Sequence, residues 1–169
     1  MTAYIALLRA VNVGGTGKLP MTDLKSICEL AGFTKVRTYI ASGNVVFTSP
    51  KSEAQVKSTL EAAYAGKPVG VLVRTAAEMA AVVAANPFPA MPGNRTVAIF
   101  LDAPPPLNAL EAAVGVNGEQ MSLGLREIYV HYGEGMADSR LRIPAAKNGT
   151  ARNMNTVAKL AEMAAALLP

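Results

Sequence analysis

The sequence predicts an α/β fold, more narrowly α+β, made of two ferredoxin-like (split βαβ) halves packed into one compact unit. Three observations carry this. Half of the 169 residues are apolar, with 17% charged, so a sizeable core is available and global disorder is excluded. Strand-type and helix-type runs alternate in the order β-α-β-β-α-β over residues 1–74. Most of that order then recurs over residues 75–169.

In chain order, residues 3–11 read as a buried strand, and Val13-Gly14-Gly15-Thr16-Gly17 as a Gly-rich loop. Pro20 suits a helix start with Thr22 or a neighbour as cap. Met21, Leu24, Ile27, Cys28 and Ala31 follow at helical spacing, and Gly32 ends that helix. Val36 to Ala41 and Val45 to Thr48 are β-rich, with Ser42-Gly43-Asn44 as a tight hairpin turn between them. Pro50 and Ser52 open a helix over about 52–65, and Val69 to Arg74 closes the first half as a strand.

The second half opens with a helix over about 76–85, stopped at Asn86-Pro87-Phe88-Pro89. Thr96 to Leu101 is a strand, and Pro104-Pro105-Pro106 leads into a short helix around 107–114. Gln120 to Leu125 and Glu127 to Tyr132 are strands, 133–150 is a loop, and a helix runs from about 152 to 168. On this reading the second half lacks its last strand. An open sheet edge of that kind could pair with a second copy of the chain.

Composition narrows the function classes. Cys28 is the only cysteine, so an intramolecular disulfide is excluded, and its helical surroundings read as core. The apolar start Tyr4-Ile5-Ala6-Leu7-Leu8 has no basic region before it and is interrupted by Arg9, unlike a secretory signal. No run approaches the roughly 18–20 apolar residues of a membrane span. The expected setting is the cytoplasm, with no membrane partner.

Charge is more telling in its distribution than in its total of +4. Residues 1–52 hold six basic and two acidic groups, residues 53–138 five and nine, and residues 139–169 five and one. No acid lies between Asp138 and Glu162. Basic ends around an acidic middle fit either scattered solvated charges or a basic face for an anionic partner.

Few residues offer catalytic chemistry. Asn12-Val13-Gly14-Gly15-Thr16-Gly17-Lys18 sits between strand and helix as a phosphate loop does. It lacks the leading Gly, where Asn12 stands, and the metal-binding hydroxyl, where Leu19 stands. Nucleotide hydrolysis is therefore disfavoured, while anion binding by the loop and Lys18 stays open. His131 is the only histidine, which excludes a multi-His metal centre. Asp102, Glu127, Glu134 and Asp138 show no metal-ligand spacing. Arg152, Asn155, Thr156 and Lys159 would share one polar face of the last helix, opposite a core stripe of Val157, Leu160, Ala161 and Ala164. Tyr4, Tyr39, Phe47, Phe100, Tyr129 and Tyr132 could serve as base-stacking platforms, although the Lys/Arg-Gly-Phe/Tyr patterns of RNA-recognition domains are absent.

Several segments resemble one bacterial family, the domain of unknown function 1697. They are Tyr4 to Gly15 with Lys18-Leu19-Pro20-Met21, Arg37 to Phe47, Asn86-Pro87-Phe88, Tyr129-Val130-His131-Tyr132, and Arg152-Asn153-Met154-Asn155-Thr156-Val157. The resemblance spans nearly the whole chain and implies two ferredoxin-like halves. It implies no activity, cofactor or catalytic residue. Ala10 stands where the family usually has Gly, and Met154 where it usually has Trp.

Three functions follow as expectations. The leading one is a cytoplasmic binding module for an anionic partner, a phosphorylated small molecule or a nucleic acid, with no cofactor and no metal. Its expected ligand-binding residues are Arg9, Asn12, Gly14, Gly15, Lys18, Ser42, Asn44, Arg152 and Asn153, brought to one face by the two chain ends. The others are a small-molecule enzyme with a polar cleft between the halves, and a structural homo-oligomer with no ligand.

Overall fold

The computed structural model describes residues 1–9, 20–40, 42–64 and 70–168. The expectations for Ala10, Asn12, Gly14, Gly15 and Lys18 lie outside the described residues. The architecture is α+β: the described residues form two four-stranded antiparallel sheets and four α-helices, arranged as two ferredoxin-like halves.

The first half runs β1 (Thr2–Arg9), α1 (Met21–Leu30), β2 (Thr34–Thr38), β3 (Asn44–Ser49), α2 (Glu53–Ala63), β4 (Gly70–Thr75), then α3 (Ala76–Ala84). Its sheet order is β2-β3-β1-β4. Alternate residues of the strands, Tyr4, Ala6, Leu8, Val45, Phe47, Val71 and Val73, share one core with Leu24 and Cys28 of α1 and Val56 and Leu60 of α2. The Phe33 and Phe47 rings stack 4.3 Å apart within it. Ser52 caps α2 in a reciprocal capping box with Gln55. Pro20, not Thr22, holds the cap position of α1, and no side chain caps that end. The link from β2 to β3 is longer than a tight turn. Asn44 already belongs to β3, and its carbonyl accepts from Tyr39 N at 3.0 Å, while Gly43 takes the positive φ of 86° expected of it.

The second half runs β5 (Thr96–Phe100), β6 (Gln120–Leu123), β7 (Glu127–His131), β8 (Thr150–Asn153), then α4 (Met154–Ala165). Its sheet order is β6-β7-β5-β8, the same permutation as the first. Two expectations are corrected here. The fourth strand is present: β8 pairs antiparallel with β5, so the open edge that motivated a homo-oligomer is filled. Its inward residues are Thr150 and Arg152 rather than aliphatics, which is why hydropathy passes over it. No α-helix spans 107–114. After Pro106 the chain makes successive i→i−3 turns, and at Gly115, with φ of 72°, it leaves them.

The repeat is visible residue by residue. Ile5 faces Arg74 across β1 and β4, and Ala98 faces Arg152 across β5 and β8. Both arginines are buried, and each donates from Nη1 to the carbonyl of the residue before it, at 2.9 Å. The next residue caps the following helix in both halves. Thr75 Oγ1 accepts from Glu78 N at 3.1 Å, and Asn153 Oδ1 from Thr156 N at 2.9 Å. The hairpins match as well: Leu8 N donates to Gly43 O and Leu101 N to Arg126 O.

The chain divides into two compact units, Met1–Ala80 with Lys159–Pro169, and Ala81–Ala158. None of the described helices is long and apolar enough to cross a membrane.

Candidate functional site

Among the described residues, the expected site residues are Arg9, Ser42, Asn44, Arg152 and Asn153. Arg9 ends β1, half-buried, with its side chain lying over Gly70 of the neighbouring strand. Ser42 and Asn44 form a latch. Asn44 is fully buried, and its Nδ2 donates to Tyr39 O and to Ser42 Oγ, both at 2.9 Å, holding the β2–β3 link closed. Arg152 and Asn153 lie in the second unit. Arg152 is 8% exposed, donates to Thr150 Oγ1 at 2.7 Å, and is pulled down to about 10 by burial, so it stays charged at neutral pH. Because α4 starts at Met154, Arg152 belongs to β8 and does not share a helical face with Lys159. Thr156 is buried too, leaving Asn155 and Lys159 exposed. Met154 is buried as the first residue of α4.

The residues able to do chemistry are absorbed by the core. Cys28 has no exposed surface, and burial pushes its thiol up to about 12. His131 Nδ1 lies 2.8 Å from Thr96 Oγ1. That hydroxyl gives its proton to Pro92 O at 3.1 Å, so it accepts from Nδ1–H, and the pair is no activated nucleophile. Phe88 lies against His131 with ring centroids 6.0 Å apart, so the Asn86-Pro87-Phe88 and Tyr129 to Tyr132 segments meet for packing. Tyr4, Phe47, Phe100 and Tyr129 are buried, and the Tyr4 and Tyr129 hydroxyls donate to Lys51 O and Val82 O. They offer no exposed surface for stacking bases. Among the described residues no cluster of His, Cys, Asp or Glu could hold a metal.

A cleft of about 660 Å³ opens in the second unit instead. Its floor is Ile99 of β5 beside Tyr132. One wall is Val114, and the other is the run from Leu141 to Lys147. The register explains why it forms here. Ile99 occupies the place in β5 that Ala6 has in β1, as the common positions of Arg74 and Arg152 show. Ala6 is sealed under α1 and α2. Over Ile99 the two helices are replaced by the turns of 101–119 and the 3-10 segments Gly133–Asp138 and Pro144–Ala146. Pro and Gly in both stretches forbid longer helices.

The walls are tied together. Val114 and Arg142 exchange backbone hydrogen bonds of 2.9 and 2.8 Å. Ser139 Oγ donates to Glu119 Oε2 at 2.7 Å, and Asn117 N to Glu119 Oε1, which together hold that carboxyl below the usual carboxylate range. Among the described residues, the charges lining the cleft are Arg142 and Lys147, both cationic and exposed. Neither makes an ion pair with a described residue, unlike Lys57 with Glu61, Arg95 with Glu134 and Lys159 with Glu162. Sequence reasoning passed over these residues, although the acid-free stretch after Asp138 contains the whole second wall.

Fold and site define a tandem ferredoxin-like protein with an apolar, cation-rimmed cleft in its second half. The chain belongs to a family described as protein of unknown function (DUF1697), whose model matches residues 1–129. Its fold is similar to that of the conserved bacterial protein SP0830 from Streptococcus pneumoniae, with a TM-score of 0.75 and 24% identity over 96% of this chain and 98% of that one. No curated protein matches the chain.

Proposed function

We propose that the protein is a binding module for an anionic small molecule held in the cleft of the second unit. The observation that carries this is the charge of the lining: Arg142 and Lys147, both exposed, with no carboxylate among the described lining residues. A volume of about 660 Å³ suits a small ligand rather than a polymer. The burial of four of the six candidate stacking aromatics, Tyr4, Phe47, Phe100 and Tyr129, favours a small molecule over nucleic acid. Arg9, Ser42, Asn44, Arg152 and Asn153 fit supporting roles in this reading, since Asn44 and Asn153 already hold a hairpin link and a helix cap. The setting that accompanies it is the bacterial cytoplasm, given a bacterial structural neighbour and one buried, unpaired cysteine.

The test is a melting screen against carboxylates, phosphosugars, nucleotides and oligonucleotides at low and physiological salt. A small anion present at about a hundred times its Kd adds about 2.7 kcal/mol to stability, or about 5–10 °C in a chain of this size. Response to oligonucleotides alone, collapsing steeply as salt rises, would overturn the small-molecule reading and reinstate a nucleic-acid partner.

A further inference from the structure

The cleft also carries information about what is attached to the negative charge. Its aliphatic lining, Ile99, Val114, Leu141, Ile143, Pro144 and Ala146, outweighs its polar groups. Ile99 is half-buried, while Ala6 at the matching position in the first unit is fully covered. A hydrated anion at the rim would leave that floor wet. An apolar body would remove it from water, gaining about 25 cal/mol for each Å² covered. Arg142 and Lys147 are exposed, as are Val114 and Pro144, while Ile99, Leu141, Ile143 and Ala146 are half-buried or buried, so the charge lies nearer to solvent than most of the hydrocarbon. The ties between Val114 and Arg142 and between Glu119 and Ser139 fix its walls in place, so the cleft is largely formed before any ligand arrives.

We infer that the ligand is an amphipathic anion, one carboxylate or phosphate head on a hydrocarbon body, with the head between Arg142 and Lys147 and the body over Ile99. This rests on the binding role proposed above and narrows its ligand class. Tyr132 would lie beside the body rather than the head. Its hydroxyl is pushed up by burial and by the charge of Glu119, so it stays protonated and adds no negative charge to the site.

The experiment is calorimetric titration of the full chain with straight-chain carboxylates from hexanoate to dodecanoate, all below their micelle concentrations. Decyl phosphate, decanol and glucose 6-phosphate serve as the other arms. Affinity should rise about three- to fourfold per methylene until the cleft is full, then level off. Decyl phosphate should bind as well as decanoate, decanol and glucose 6-phosphate far more weakly. The double variant Arg142→Ala, Lys147→Ala should lose about tenfold or more for every anion while its ligand-free melting temperature holds, since both side chains are exposed. Affinity flat with chain length, with glucose 6-phosphate binding as tightly and losing affinity in the double variant, would overturn the amphipathic ligand and leave anion binding intact. Decanol binding as tightly as decanoate, or no binding in any arm, would overturn both.

Discussion

The thiol of Cys28 sits among Leu24, Phe33 and Phe47 in the first core, with no exposed surface. Its rise to about 12 comes first from burial and then from the negative charge of Glu29. The folded state therefore holds this proton more tightly than the unfolded chain does, where a thiol titrates near 8.5. The resulting stability is fully present below the unfolded value and is lost as pH climbs from about 9 toward 12. Alkylation follows the same logic, because the thiolate is the reactive form. Iodoacetamide at pH 8 should label native protein many times more slowly than protein in denaturant. Equal rates in the two conditions would place Cys28 at the surface. Arg152 is buried without losing its charge, so its hydrogen bonds to Thr150 and Ala151 offset part of the cost of taking a guanidinium out of water.

At the scale of elements, the two halves end alike: a buried arginine in the fourth strand, a capping residue, then a helix. The covering of the sheets is where they part. The first unit has two helices there, the second has turns and 3-10 segments clasped by Glu119. The carboxyl of Glu119 is lowered first by the Ser139 hydroxyl and then by the Asn117 amide. A depressed carboxylate contributes its stability above the unfolded value, about 4.3–4.5, and loses it as pH falls through the folded one. Hydrogen exchange at the Val114 and Arg142 amides should thus stay slow at pH 6 and quicken relative to the other strands as pH falls below the unfolded carboxylate range. Glu119→Gln should show raised exchange already at pH 6, with no further step in acid. An acid step that survives in that variant would assign the titration to another group.

Across the whole molecule, what could be read from the sequence was whatever apolar periodicity and Gly/Pro punctuation encode: β1 to β7 and the four α-helices. Three features escaped it for a physical reason. Strand β8 buries Thr150 and Arg152, so its alternation is polar. The turns of 107–112 carry helix-favouring Ala and Leu, and yet Pro106 and Gly115 confine them. The cleft was legible only as a run without acids, because its floor, Ile99, is an ordinary strand residue until its cover is known to be irregular. A last feature lies beyond local sequence altogether: Lys159–Pro169 belongs with Met1–Ala80, not with the residues that precede it. Leu160, Met163, Ala164 and Leu167 are buried there, and Lys35 Nζ donates to Leu167 O at 3.3 Å. Burying three large apolar side chains contributes several kcal/mol, comparable with the whole stability of a small domain. A chain ending at Ala158 should therefore weaken the first unit, whose main segment ends at Ala80, far upstream of the cut. Labelling of Cys28 reports on that unit alone, and its rate should rise by at least tenfold in the truncated chain. Stability kept at the full-length level would mean that the C-terminal turns of α4 are dispensable to the first unit.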